Sequence, residues 1–160
     1  MTRRLAIAVA AAVTACGSGV DLSQSCSMKV SVNGGAQETV QCFAAGASAP
    51  GTGNAVSISM TGALADVQVA QFAMTLPSAP TTRTYGAADV SSAAGQVRTA
   101  TNALYVQSNP GAIGSFSVVL TSVTGASSGT QTAYFLHGSA TLTLVGQSGA
   151  AGNATITATF

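Results

Sequence analysis

Residues 130–145, TQTAYFLHGSATLTLV, decide the fold of this chain. Apolar side chains recur at every second position, and this period of two predicts a half-buried β-strand. The stretch is longer than an ordinary single strand. Because Gly138 lies near its middle, we predict a bend or a switch between sheets at that residue. The inward-facing set is then Tyr134, Leu136, Gly138, Ala140, Leu142 and Leu144.

The same alternation continues on both sides of this strand. We predict a loop at residues 125–129 before it and a turn at residues 146–152 after it, because both segments are rich in glycine. Across that turn, the simplest register places Leu142 opposite Ile156. The apolar positions of the flanking strands are Phe116, Val118 and Leu120 on one side, and Ala154, Ile156, Ala158 and Phe160 on the other.

Two aromatic residues are predicted to lie beside Gly138. In the simplest registers Leu120 falls opposite Tyr134, and Phe116 and Phe160 both come next to Gly138. An aromatic ring that covers a strand glycine is a known device for fixing strand register. We therefore assign Gly138, Phe116 and Phe160 structural roles.

An amino-terminal hairpin is predicted from a second alternating segment, residues 26–32. The following Asn33-Gly34-Gly35 tolerates the positive φ angles of a tight turn. With the loop centred on Gly34, Cys26 falls directly opposite Cys42. Cross-strand partners lie roughly 5 Å apart, within bridging range, so we predict a Cys26–Cys42 disulfide rather than a metal-binding or catalytic role for these thiols.

The middle of the chain alternates less clearly. Apolar positions from 67 to 76 change phase, which predicts a bulge near Ala70 if they form one strand. The remaining segments are a loop at 45–53, a strand at 56–60, a short strand at 82–85, a loop at 86–95, and weaker strands at 96–101 and 104–107. No segment has a helical period. The prediction is an all-β fold, an antiparallel β-sandwich of about eight to ten short strands.

A barrel of the outer membrane is the alternative fold. The final alternating strand ends in Phe160, and this resembles the carboxy-terminal signal of such barrels. They need aromatic girdles and paired strands of about ten residues. The chain has no Trp, and its few aromatic residues are scattered, so the sandwich is favoured.

The amino terminus has the order of a lipoprotein signal. Arg3 and Arg4 precede an apolar run at residues 5–12, and Val13-Thr14-Ala15-Cys16 follows. The basic and short apolar segments are typical of a secretory signal rather than a membrane span. The whole segment resembles bacterial lipoprotein signal sequences, which are cut before the Cys. A plain secretion signal with an incidental Cys is the alternative.

That resemblance implies the organisation and the location of the protein. It implies a signal peptide at residues 1–15, a lipidated Cys16 with a tether to residue 25, and the β-domain from 26 to 160. With Cys16 acylated, the other two cysteines remain to pair with each other. Gly17 replaces the Asp that favours inner-membrane retention in enterobacterial lipoproteins, so we expect a cell-envelope protein anchored by lipid in the outer membrane.

Charge excludes several classes of partner. After the signal, the basic residues are only Lys29, Arg83 and Arg98. Three scattered cations cannot form the clustered basic face that nucleic acids need, nor a polybasic membrane patch. No apolar run after the signal approaches the length of a transmembrane helix. The expected membrane contact is therefore the lipid.

Candidate catalytic residues are few. Ser127 is central to Gly125-Ala126-Ser127-Ser128-Gly129, a G-x-S-x-G pattern, but no carboxylate follows it in the chain. His137 is the single histidine and is predicted to face solvent without an orienting carboxylate or companion metal ligands. Asp66 and Asp89 lie in turn-like segments. We therefore predict no catalytic residue, metal or cofactor.

Two classes of function remain ahead of an enzyme. The first is a structural or accessory lipoprotein that contacts other envelope proteins. The second is a surface module that binds a small ligand or a glycan. A glycan-binding module would usually show aromatic platforms, and the outward candidates are only Phe43, Phe135 and Tyr105. The accessory class is therefore the leading hypothesis.

Overall fold

The computed structural model describes residues 24–48, 56–62, 67–128 and 131–160. These residues form ten strands and a short 3-10 helix at Ala87–Asp89. The predicted all-β antiparallel class is confirmed. The strands are β1 (Gln24–Val32), β2 (Glu38–Ser48), β3 (Val56–Gly62), β4 (Val67–Leu76), β5 (Thr84–Tyr85), β6 (Ser92–Thr99), β7 (Leu104–Asn109), β8 (Ser115–Ser128), β9 (Gln131–Gln147) and β10 (Asn153–Thr159).

Hydrogen bonds join these strands into one continuous sheet. Its order is β10-β1-β2-β3-β4-β6-β7-β9-β8-β5, and β9 also pairs with β10 and with β2. Because β9 pairs with both β7 and β10, the sheet curls until it closes on itself. The core lies inside this curl.

β9 is the strand through which the sheet closes. On one edge it pairs with β8 and then, at residues 145–147, with β7. On the other edge it pairs with β2 at residues 133 and 134 and with β10 at residues 139–145. The change of neighbour from β2 to β10 brackets Gly138, where the sequence predicts a bend or a switch between sheets. All of these strands belong to one sheet, so the pairing partner changes and the sheet does not. A strand of this length is needed because it has four strand neighbours.

The register of β9 is predicted correctly on one side and wrongly on the other. Leu142 lies opposite Ile156, as expected. Leu120, however, lies opposite Gly138 rather than Tyr134, and Phe116 lies opposite Leu142 rather than beside Gly138. The error arose at residues 125–128, which are strand rather than loop. β8 continues to Ser128, so the hairpin closes later in the chain.

The amino-terminal hairpin matches its prediction. Asn33 and Gly34 both have positive φ, 53° and 71°, as a tight turn of this kind requires. Cys26 lies opposite Cys42 with a Cα–Cα distance of 5.0 Å, and the two form a disulfide. The strand itself begins at Gln24, two residues before the predicted boundary.

Two strand boundaries in the middle of the chain differ from the prediction. β2 runs to Ser48, through residues predicted as loop, because it continues to pair with β3. β6 begins at Ser92, inside the loop predicted at 86–95. β4 is one strand, and the irregularity predicted near Ala70 lies next to it, between Val67 and Val69.

The core is aliphatic with a small aromatic centre. The rings of Phe72 and Phe116 contact each other with centroids 5.5 Å apart and planes inclined by 44°, and such tilted pairs are favourable. Around them lie the largest fully buried side chains, Met28, Met74, Leu76, Leu120, Leu136, Leu142, Leu144, Ile156 and Val30. Phe116 is therefore a core residue, and its aromatic contact is with Phe72 rather than with Gly138.

Candidate functional site

Gly138 lies between two backbones. Its N–H donates to the Phe160 carbonyl oxygen at 2.8 Å, and the Phe160 N–H donates to the Gly138 carbonyl oxygen at 3.1 Å. On the other side is β8, where a Cβ atom at residue 138 would overlap the carbonyl oxygen of Val119 and lie 3.2 Å from the Leu120 Cα. Gly138 is not among the glycines with positive φ. The position requires glycine for space rather than for a backbone angle.

An aromatic ring does cover a strand glycine, but at a different place. A Cβ atom at Gly125 would lie 3.4 Å from Cε1 of Tyr134, its partner across the hairpin. Tyr134 is half-buried and packs against the core. This contact replaces the predicted cover of Gly138 by Phe116.

His137 lies on the outer side of β9 and is exposed. Its nearest described polar contact is through its backbone, whose carbonyl oxygen accepts a hydrogen bond of 3.2 Å from Oγ1 of Thr121. Thr121 is the extra residue of a bulge in β8, since Leu120 pairs with Gly138 and Ser122 with His137. Phe135, two positions away on the same side, is half-buried. The described contacts bring no carboxylate to the imidazole.

Ser127 lies in a paired strand and not at a strand-to-helix turn. It is opposite Thr132, and the two hydroxyl oxygens are 3.0 Å apart. The nucleophile of a G-x-S-x-G site needs a sharp, exposed turn that projects its Oγ. The geometry around Ser127 is that of a cross-strand hydroxyl pair.

One cluster of interacting side chains was missed by sequence reasoning. Tyr85 is buried in β5, and its Oη accepts a hydrogen bond of 2.7 Å from the Thr81 N–H and donates one of 3.0 Å to the Thr81 carbonyl oxygen. The guanidinium of Arg83 lies over the Tyr85 ring, 4.6 Å from its centroid. Arg83 also forms an ion pair of 3.3 Å with Asp89. The sequence signal was the spacing of four residues between Thr81 and Tyr85.

The electrostatic interactions of this cluster hold Tyr85, Thr81, Arg83 and Asp89 together. Burial raises the pKa of the Tyr85 phenol. The hydrogen bonds from Thr81 and the nearby charge of Arg83 lower the pKa by more than burial raises it, so it lies below the usual 10.0. Asp89 also accepts a hydrogen bond of 2.9 Å from the Gly86 N–H. Its carboxylate therefore holds the turn after β5, in the turn-like segment where the sequence places it.

One depression lies at the end of the molecule where the hairpin turn of β1 and β2 meets the turn after β6. Its volume is about 420 Å³. Val30 and Val67 in its floor are buried, and Glu38 is the one charged side chain among its described lining residues. The lining also includes Val32, Gly35, Ala36, Thr99, Ala100 and Thr101. The lining therefore combines valine and alanine side chains with threonine side chains and one carboxylate.

A second, smaller depression of about 220 Å³ lies on the outer face of β1, β10 and β9. Its polar groups are Lys29 and neighbouring hydroxyls. They come from rows of cross-strand partners, such as Ser27, Thr159 and Ser139. Alternating strands place such hydroxyls outward, and this face has the ordinary composition of a solvated sheet.

Several predicted residues are not brought into a site. Tyr105 is buried, with its Oη bonded to the Asn33 amide and the Ala151 carbonyl oxygen, both at 3.3 Å. It is therefore not an outward platform, which corrects the prediction. Cys16 and Asp66 lie outside the described residues, as does the side chain of Phe43.

The described ranges contain no group of three or more His, Cys, Asp or Glu side chains placed to hold one metal ion. They also contain no helix long and apolar enough to cross a membrane. Comparisons of the chain with family models, with curated proteins and with solved structures found no match.

Proposed function

We propose that this chain is a bacterial envelope lipoprotein, anchored through Cys16 in the outer membrane, whose β-domain has a structural or accessory role. The observation that carries the proposal is the Cys26–Cys42 disulfide. Disulfides persist in oxidising compartments and are rare in the cytosol. The bond supports export, and the Val13-Thr14-Ala15-Cys16 motif supports lipid attachment.

The proposed role is non-enzymatic because the described residues that could do chemistry are held apart or used structurally. Ser127 pairs with Thr132, and Asp89 pairs with Arg83. His137 lies on β9 five residues beyond Thr132, the cross-strand partner of Ser127, so the imidazole and the hydroxyl are not neighbours. A nucleophile needs a base within hydrogen-bond reach. The proposed partners are other envelope proteins and the membrane, with no nucleic acid and no cofactor.

Cell fractionation of Cys16→Ala tests the anchor. We expect the wild-type chain in the outer-membrane fraction and the variant unprocessed, because the thiol is the group that is acylated. Several acyl chains give stable anchoring where one holds only marginally. Wild-type protein that washes off membranes in buffer would refute the anchor.

A ligand-binding module is the second candidate, and the depression beside Glu38 favours it. Ala36 is exposed and lines the depression, so Ala36→Phe should fill it without disturbing the core. Ala73→Phe, at an exposed strand position outside the depression, is the matched control. Under the accessory proposal both variants restore the wild-type phenotype in a deletion strain. Failure of Ala36→Phe alone would assign the function to the depression.

A further inference from the structure

The outer edge of β8 is only partly paired. β5 pairs with it at Val118 and Val119, and the Leu120 N–H donates to the Arg83 carbonyl oxygen at 2.9 Å. The bulge at Thr121 ends this pairing. Beyond it, Ser122 to Ser128 pair in regular register with β9 on the other edge. Within the described ranges, no strand pairs with the outer edge of these seven residues.

This edge lacks the charges and prolines that usually prevent strands from joining. Natural edge strands are blocked by lysines, prolines or inward-pointing charges. From residue 99 to residue 160 the chain contains no Asp, Glu, Lys or Arg, and β8 contains no proline. Thr124, Gly125, Ala126 and Ser127 are all exposed. The bulge precedes the free segment, and within that segment the register with β9 has no further shift.

We propose that this edge is a homodimer interface, in which the 122–128 segment of β8 pairs antiparallel with the same segment of a second copy. An antiparallel strand is complementary to itself about a two-fold axis, which is the symmetry of most homodimers. The partner must supply an extended, uncharged strand of matching length, and β8 itself has those properties. Pairing would also cover Val123, which is half-buried and packs against the core.

The charge pattern favours a second copy over a different protein. A distinct partner is usually selected by complementary charges or by opposing like charges. The free segment of β8 offers no charge with which to select one. The segment can still form backbone hydrogen bonds and exclude water from Val123. A second copy of the same strand offers both of these interactions. The proposal does not depend on acylation of Cys16, so the two can fail separately.

The test is native mass spectrometry of the full oxidised chain over a dilution series, with a double substitution on the edge. Thr124→Lys with Ala126→Lys places like charges across the two-fold axis. Thr141→Lys with Thr159→Lys adds the same charge at exposed positions on the outer face of β9 and β10. We expect a wild-type dimer, a control with unchanged Kd, and an edge variant whose Kd rises about tenfold or more. A monomeric wild type, or equal weakening by both pairs, would overturn the proposal.

Hydrogen exchange of the same samples identifies the occupant of the edge. In the dimer, the outward amides of residues 122–128 should be protected, and the edge variant should lose that protection while β10 keeps its own. Protection in a monomer would mean that a segment of the same chain, such as residues 16–23, covers the edge. Fast exchange in every sample would mean that the edge pairs with nothing. Either result contradicts the homodimer.

Discussion

Gly138 and Phe160 exchange both of their backbone hydrogen bonds, at 2.8 and 3.1 Å, and so attach the last residue of the chain to the middle of β9. This pair continues the β9–β10 ladder by one residue beyond Thr159 and Ser139. The opposite side of Gly138 meets the backbone of β8 at Val119 and Leu120. Three strands therefore converge at one residue without a side chain.

Substitution of Gly138 should destabilise the fold. Even Gly138→Ala adds a Cβ that overlaps a backbone carbonyl, which cannot rotate away as a side chain can. We expect a loss of about 1–3 kcal/mol from overpacking, and more for Gly138→Val. Thermal or urea denaturation of the purified variants measures it.

His137→Ala is the adjacent control. The imidazole is exposed, so its removal leaves no cavity, and the stability should change by less than about 0.5 kcal/mol. A variant at Gly138 that unfolds at the wild-type midpoint would contradict the close approach of the three strands. A loss of function in His137→Ala without a change in its melt would assign the histidine to a site.

Loss of the disulfide should cost more than a surface change. It closes a loop with a sequence separation of 16, for which chain entropy predicts about 3 kcal/mol. We expect the double variant Cys26→Ala with Cys42→Ala to unfold at lower denaturant, and dithiothreitol to lower the wild-type midpoint similarly. Peptide mapping without reductant should recover residues 26 and 42 in one linked species. Free thiols at both positions in protein taken from the envelope would contradict the bond.

The Tyr85 hydroxyl should contribute measurably to stability. Tyr85→Phe keeps the ring under Arg83 but leaves the Thr81 N–H and carbonyl oxygen without the partner they share. These hydrogen bonds are part-buried and Thr81 is exposed, so their loss should cost about 0.5–1.5 kcal/mol. Tyr134→Phe, in a half-buried ring without a described hydroxyl contact of this kind, is the comparison. Equal midpoints for the two variants in urea would show that the Tyr85–Thr81 link is not stabilising.

Gln107 offers a stabilising substitution. It is buried at 2% exposure, and its Oε1 has no hydrogen-bond partner among the described residues. Gln107→Met keeps the shape and removes the unsatisfied oxygen, so the free energy of unfolding should rise by about 1 kcal/mol. Gln71→Met, at an exposed position on β4, should leave it unchanged. A destabilised Gln107→Met would indicate that a buried water satisfies the amide.

The hairpin of β1 and β2 could be predicted from the sequence because its information is local. Asn33-Gly34 sets the turn, and a turn of known centre fixes every pair, including Cys26 with Cys42. The turn between β9 and β10 was located equally well. In both cases a short glycine-containing segment separates two clearly alternating runs.

The parts of the fold that were not predicted depend on contacts between segments that are distant in the sequence. Residues 125–128 have loop composition, but they form strand because β9 pairs with them and the Tyr134 ring covers Gly125. The pairs of β9 with β7 and β2 have no local signature, so closure of the sheet could not be foreseen. The hydrogen bonds between Tyr85 and Thr81 could have been suspected from the spacing of the two residues, whereas the contact of Arg83 with the Tyr85 ring could not.

The most direct test of the proposed lipoprotein is the mass of the amino-terminal peptide of the mature protein, isolated from its native membrane. We expect a peptide that begins at Cys16 and carries the added mass of a diacylglyceryl group. A mature chain that begins elsewhere, or that carries an unmodified thiol at Cys16, would contradict it.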